Sequence, residues 1–444
     1  MEAHRAFSQG TLSKLAYRLA IPIGVLCLYA ILAGLWLLGA HSLYFGALRL
    51  IGVEAFSFPF LDAHVVLAAA ECRRQGIEVY LSNPCDALGR PHVYSPLWLA
   101  ILPGSLGTSA TGWVGASLDL LFLLSLTVVL RPRTAGELLI LGAAAVSPTT
   151  VYAVERANND LTVFLMVICG AIVFAAPRPF RLFSYGLFVA AGLLKYFPLV
   201  LLILVARERR RDALVISTAA GFTVLVFGVA FYPELGTALT NIPAASSYFT
   251  DAFSARNLPF GFAEALAGGT YRIIIAVSLL GALLGVAVAR TLRTVRLLGR
   301  ERLDWRASET QSLVIGGLLV AACFFAGQNI AYRGIFLLPV LSGLVCLHRS
   351  VKDREVRRFC GQMIAAALFV MWEECFRRGL HAIISPIPGA GLSSRAEVFF
   401  WVGRELVWWW LVVGLAALVL SFIRQSPFAE IFGRTAAGPA PSPV

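Results

Sequence analysis

The chain has 444 residues, 58% hydrophobic and 14% charged, with a mean hydropathy of +0.78 and a net charge of +12. That composition excludes a soluble globular protein. The positive charge does not indicate nucleic acid either, because the arginines sit in short segments between apolar runs rather than on one basic face.

The apolar runs recur at roughly 16 to 22 residues, near the length a helix needs to cross a hydrocarbon core of about 30 Å. In chain order the clear ones are residues 19–40, 112–130, 161–176, 213–231, 273–289 and 407–423. In lipid the backbone must satisfy its own hydrogen bonds, so the expected fold is all-α, a polytopic transmembrane helical bundle of about twelve membrane helices. Arg5, Lys14 and Arg18 precede the first run, which is too long for a cleaved signal peptide and reads as an uncleaved span. Basic residues concentrate at both termini and in the segments 131–133, 178–181, 207–211, 290–306 and 349–358. The positive-inside rule makes those segments and both termini cytoplasmic, and the expected location is a bacterial inner (plasma) membrane. The outer loops are then 41–95, 152–160, 232–270, 327–332 and 373–398. Residues 1–434 form one membrane domain, and 435–444, rich in Ala, Pro and Gly, form a disordered tail.

The polar groups of the outer side follow in order. Asp62 stands in Phe-Ser-Phe-Pro-Phe-Leu-Asp-Ala-His, residues 56–64, at the start of a helix expected over 63–75 and ended by Gly76. His64, Glu71, Arg74 and Gln75 share one face, as in a helix lying along the membrane surface. Asp62 reads either as the N-cap of that helix or as a catalytic base. Cys72 and Cys85 either pair, if this loop faces an oxidising compartment, or stay free thiols. Asp119 lies inside a span and calls for a polar partner. The loop 152–160 holds Glu155, Arg156, Asn158, Asn159 and Asp160, a density that suggests a lined cavity, or else a solvated turn capped by Asp160. Residues 182–206 are interrupted by Lys195-Tyr-Phe-Pro198, which predicts two half-helices with Lys195 at the outer tip. A lysine in an apolar run is expensive and therefore functional by default. Gln328, Asn329, Tyr332 and Arg333 share a further tight turn, and Arg333 is suited to a bidentate grip on phosphate. Trp408–Trp410 read as an interfacial belt with Arg404 and Glu405 outside it. No cysteine or histidine spacing marks a metal site. A divalent cation on Asp62, Glu155 and Asp160 is conceivable, but no cofactor is expected.

A carboxylate among several cations at the outer membrane face suits a hydroxyl attacking a lipid-anchored phosphate ester. Outside the cytoplasm nucleotide sugars are absent, so an activated sugar must arrive on a lipid phosphate. At these residues the chain resembles the GT-C glycosyltransferases, and within them glycosyltransferase family 87, a group of polyprenyl-phosphate-mannose-dependent mannosyltransferases. The resemblance rests on several short motifs. They are Asp62 after the first span, Gly76 and Tyr80, Tyr94-Ser-Pro96-Leu before a span, Asn159-Asp160-Leu opening another, Lys195-Tyr-Phe-Pro198, and Tyr332-Arg333 followed by Pro339. It implies a GT-C-like bundle in which Asp62 is the general base and the sugar is inverted on transfer. The donor is a polyprenyl-phosphate sugar and the acceptor a glycan or a lipid-linked hydroxyl. The polar run 83–91 departs from the family by its length.

The cationic assignments come from this chain's own residues: Lys195, Arg333 and Arg156 for the donor phosphate. Glu155, Asn158, Asn159, Asp160, His64, Tyr94, Gln328, Asn329 and Tyr332 are expected around the substrates. Two other readings compete. An O-antigen polymerase or ligase would work through Arg256, Arg377, Arg378 and His381. A lipid-linked glycan transporter or flippase would carry the glycan unchanged, although no internal repeat supports it.

Overall fold

The computed structural model describes residues 2–242, 247–249, 251–266, 269–301, 303–385 and 392–426. The first apolar run becomes α1 (Glu2–Leu37), followed by the short α2 (His41–Leu50), α3 (Leu61–Arg74) and α4 (Pro96–Ile101). The helices α5 (Thr111–Val129), α6 (Ala135–Ala145), α7 (Pro148–Glu155), α8 (Asn159–Phe174) and α9 (Arg178–Leu194) come next. After a 3-10 segment, Phe197–Arg207, come α10 (Arg210–Ala230), α11 (Tyr232–Asn241) and α12 (Asn257–Leu266). The long helices α13 (Gly269–Leu298), α14 (Ser308–Ala326), α15 (Leu337–Ser350), α16 (Arg354–Ile384) and α17 (Leu392–Arg424) complete the bundle.

Eight of the described helices are long and apolar enough to cross a membrane, or nine if α6 and α7 form one bent span. The expected dozen is reached only by adding α8, α9 and the 3-10 segment, all shorter than a full crossing. The α6–α7 bend of 44° falls at Ser147-Pro148, where proline removes a backbone donor and Ser147 caps α7 through the Thr150 N–H. The break expected at Lys195 is present: Lys195 is extended (φ −155°), and Pro198 follows in the opening turn of the 3-10 segment.

The core lies among α14 to α17 with α8 packed against them. α14 and α15 touch closely because glycines stand at the crossing. A Cβ on Gly343 would fall 2.5 Å from the Leu313 Cβ, and one on Gly316 2.7 Å from the Phe336 carbonyl oxygen. α10 and α13 instead turn most of their apolar side chains outward, toward where lipid would lie.

Three expectations change. First, the helix at Asp62 does not lie half exposed on a surface. Leu61 to Ala63, Val65 to Ala70 and Cys72 are buried, because the run 76–95 folds over α3 and is tied to it by the Cys72–Cys85 disulfide. Second, 373–398 is not a loop: α16 continues to Ile384 and α17 begins at Leu392, leaving 386–391 outside the described residues. Third, Trp408 and Trp409 are buried rather than interfacial, and Arg404 and Glu405 lie within α17. They can be buried because Arg404 donates to Glu405 at 2.5 Å and has Glu373 at 3.9 Å. The loop 232–270 contains α11, α12 and β1 (Ala252–Phe253), which pairs antiparallel with β2 (Asn329–Ile330) and so pins the turn that carries Arg333. The expected tail, 435–444, lies outside the described residues.

Candidate active site

Asp62 is set by two strained residues. Phe60, at the N-cap of α3, has φ +67°, and Ala157, between Arg156 and Asn158, has φ +40°. These are the only described non-glycine residues with positive φ. Such conformations persist where surrounding contacts over-determine them, and here the contacts are mutual. The Phe60 N–H donates to the Glu155 carbonyl at 2.7 Å, and the Asp62 N–H to the Arg156 carbonyl at 3.0 Å. The Phe60 ring fits because residue 115 is glycine; a Cβ there would come 2.4 Å from the ring.

Asp62 caps nothing. Its carboxylate leaves the first turn of α3 and accepts a bidentate pair from Arg156, Nε to Oδ2 and Nη2 to Oδ1, both at 2.9 Å. Asn158 Nδ2 donates to Oδ2 as well. The same Asn158 amide caps α8, its Oδ1 accepting from the Asp160 N–H at 2.8 Å. Capping therefore falls to Asn158 rather than Asp160, and the amide is oriented at both ends. The loop is sealed rather than solvated: Glu155 to Asp160 are all buried.

Asp160 anchors a second set. Its Oδ1 lies 2.8 Å from Lys195 Nζ, and its Oδ2 accepts from Arg333 Nε at 3.2 Å. Two cations thus share one buried carboxylate, leaving a local excess of positive charge. Tyr94 and Tyr332 stand between the two sets. The Tyr94 ring is 5.7 Å from Lys195 Nζ, while burial first, and the Asp62 charge second, push its phenol above the ordinary value, keeping a neutral hydroxyl. The Tyr332 hydroxyl feels Arg333, Asp62, Asp160 and Arg156 together, and its ring meets Tyr152 edge-on at 5.7 Å. Tyr152 in turn accepts from Arg156 Nη1 at 2.9 Å.

Other expected residues point elsewhere. Glu155 accepts from the Tyr44 hydroxyl at 3.2 Å. His64 Nδ1 bonds to Thr111 Oγ1 at 3.0 Å, and Asn159 is buried with its Nδ2 unpaired. Gln328 donates to Asn257, and Asn329 to the carbonyls of Cys323 and Gly327, so both are engaged in bracing the ribbon and α12. Arg377 and Arg378 both pair with Glu374, and His381 with Glu397. Among the described residues no three His, Cys, Asp or Glu side chains gather as cation ligands: Asp62, Glu155 and Asp160 each face a different partner.

One residue was not singled out from the sequence. Arg90 lies 3.7 Å from Asp62 Oδ1 and forms a bidentate pair with Asp86, whose carboxylate this holds below its ordinary range although burial alone would raise it. Its side chain is 31% exposed, against 8% for Arg156, so it is the cation of this group nearest open space. The signal was the polar run 83–91.

A groove of about 830 Å³ runs between α1 and α5 and ends beside this cluster. Leu26, Trp36, Leu120 and Leu123 line its length, with Phe60 and Glu155 among the residues at the head. Asp119 also faces it, with Oδ1 unpaired.

No curated protein and no solved structure matches the chain. A family model described as glycosyltransferase family 87 matches residues 93–322, slightly more than half of the chain. It takes in Tyr94, Arg156, Asp160 and Lys195 and leaves Asp62 and Arg333 outside.

Proposed function

From the premise that the chain belongs to glycosyltransferase family 87, we propose that it moves a sugar, mannose being the first to test, from a polyprenyl-phosphate donor to an acceptor hydroxyl. The acceptor is a glycan or a lipid-linked sugar, and transfer takes place at the outer face of a bacterial inner membrane. The observation that carries this reading is a convergence. Segments around residues 62, 156, 195 and 333 gather two neighbouring cation–carboxylate sets, and the apolar groove reaches Phe60 and Glu155, chain neighbours of the first set.

The groove suits a polyisoprenoid chain, which is all hydrocarbon and needs no polar partner along its length. The donor phosphate is assigned to the charged cluster beyond the groove's Phe60 end, to Lys195 and Arg333, which exceed Asp160 in charge, with Arg156 and Arg90 on the Asp62 side. Asp62 is the base. Arg156 occupies one acceptor position on each carboxylate oxygen and Asn158 a second on Oδ2, so Oδ1 keeps a position open toward Arg90. Asp62 Oδ1 takes the acceptor proton as the hydroxyl oxygen bonds to the anomeric carbon. The bond from that carbon to the phosphate oxygen breaks, and polyprenyl phosphate leaves as an anion held by the cations. Because attack and departure lie on opposite faces of the sugar, configuration inverts. Phosphate leaves without a general acid, so a second carboxylate of glycosidase type is unnecessary.

The Cys72–Cys85 disulfide supports an oxidising, outer location for the loop beside Asp62. The polymerase or ligase reading loses support because Arg377, Arg378 and His381 are engaged with Glu374 and Glu397. The test offers purified protein polyprenyl-phosphate mannose and, separately, the corresponding nucleotide sugar. Transfer from the lipid donor alone, with Lys195→Gln raising KM for that donor more than it lowers kcat, is the expected result. Transfer from the nucleotide sugar alone would overturn it.

A further inference from the structure

Away from the Asp62 cluster, at the end of the bundle where α14 begins, a second cavity of about 970 Å³ opens between α13 and the α16–α17 pair. Among the described residues five arginines line it: Arg290, Arg293 and Arg296 from the last turns of α13, Arg300 just beyond its end, and Arg358 from α16. Glu355 is the one acid in the lining, and it is already paired with Arg300. Among the described residues, the side chains of Arg293, Arg296 and Arg358 make no hydrogen bond or ion pair, and that of Arg290 is held only by its guanidinium lying 3.8 Å from the centroid of the Trp410 ring.

A topology signal needs arginines near one membrane face, but it does not need them to converge. Here two helices that are distant in sequence aim positive charge into one cavity, and a third supplies an aromatic platform. The walls are not those of a site for a free anion. Leu297, Phe359 and Trp410 line it together with Val286, on a helix whose neighbouring apolar side chains face outward. A cavity with excess positive charge at its rim and apolar walls opening toward lipid is complementary to a phosphodiester headgroup with acyl chains attached.

We propose that this cavity is a binding site for an anionic phospholipid, distinct from the donor and acceptor sites. Arg293, Arg296 and Arg358 hold the phosphodiester, Arg290 is kept in place by Trp410, and an acyl chain lies against Val286 and Leu297. The site does not depend on the reading of Asp62, since none of its residues belongs to that cluster.

The experiment titrates detergent-purified protein with phosphatidylglycerol, with phosphatidylcholine of the same chain lengths, and with inorganic phosphate. Retained lipid is read by native mass spectrometry and the melting temperature by tryptophan fluorescence. Phosphatidylglycerol is expected to be retained and to raise the melting temperature. Arg290→Gln/Arg293→Gln/Arg358→Gln is expected to weaken its binding about a hundredfold, at roughly fivefold per arginine. Arg293→Glu, at an exposed position without an ion pair, is the folding-safe variant and should weaken binding on its own. Arg209→Gln/Arg210→Gln/Arg211→Gln, which removes equal charge outside the cavity, should leave it unchanged. Equal retention of phosphatidylcholine, an equal response to phosphate, or phosphatidylglycerol binding that survives Arg293→Glu would each overturn the proposal.

Discussion

Replacing Asp62 by Asn tests the core of the reasoning, because it separates two jobs that one carboxylate performs. In the structure Asp62 is 3% exposed and neutralises Arg156, which is itself buried beneath Phe56 and Tyr152 at 4.7 and 5.3 Å. An Asn side chain keeps one acceptor oxygen and turns an N–H₂ toward the Arg156 donors. One bidentate contact is lost and a buried guanidinium is left without its counter-charge, which should destabilise the protein by about 3–5 kcal/mol. The catalytic loss is separate: removing a general base lowers kcat by roughly 10²- to 10⁴-fold. Asp62→Asn, Arg156→Gln and the double variant are compared by denaturation in detergent and by transfer kinetics with a saturating lipid donor. The double variant should recover much of the stability, since a neutral pair replaces an unpaired ion. It should recover none of the transfer, while Arg156→Gln, which keeps the base, should lose less kcat than Asp62→Asn. Transfer by Asp62→Asn within tenfold of the unmodified protein, or transfer restored in the double variant, would refute the base assignment and leave Asp62 a structural ion-pair partner.

Other outcomes follow from packing, acid and redox chemistry. Gly343→Ala should destabilise by about 1–3 kcal/mol through overpacking against Leu313, whereas Gly317→Ala, whose Cβ would meet Leu415 at an ordinary 3.6 Å, should be tolerated; thermal melts compare them. His92 is fully buried between Tyr80 and Tyr94, and burial lowers its pKa from 6.5 to about 4. The unfolded chain therefore takes up the proton first as pH falls, so stability is full above about 6.5 and falls by up to roughly 3 kcal/mol by pH 4. Melting curves across that window should show the fall, and His92→Phe should flatten it. Reducing the Cys72–Cys85 disulfide, or Cys72→Ser/Cys85→Ser, should cost roughly 3 kcal/mol and weaken the hold of the 76–95 run over α3, read as a lower melting temperature under reductant.

Local features of the chain carried much of the architecture. Apolar length announces the spans, and proline disfavours helix before it, so the interruption at Lys195 could be placed without coordinates. The density of polar residues at 155–160 likewise marked a segment that lipid would not accept unless it were satisfied. Neither signal has a long-range component. Misreadings arose where burial reverses a local rule. Arg404 and Glu405 look like residues beyond a membrane edge, yet they lie inside α17 because Glu373, about thirty positions earlier, faces them.

By itself the sequence determined that this is a helical membrane protein, that a helix breaks at Lys195, and that the polar residues 155–160 stand between two apolar segments. Tertiary structure alone decided how those residues pair. It takes Asp62 out of a helix cap and gives it to Arg156, sets Lys195 and Arg333 on Asp160, brings Arg90 to the open side of Asp62, and turns Gln328 and Asn329 to bracing. The physical reason is that helix breaks and burial follow from the local free energy of each segment in lipid. The partner of a buried charge is chosen by which distant segment can reach it, and reach is a property of the folded bundle.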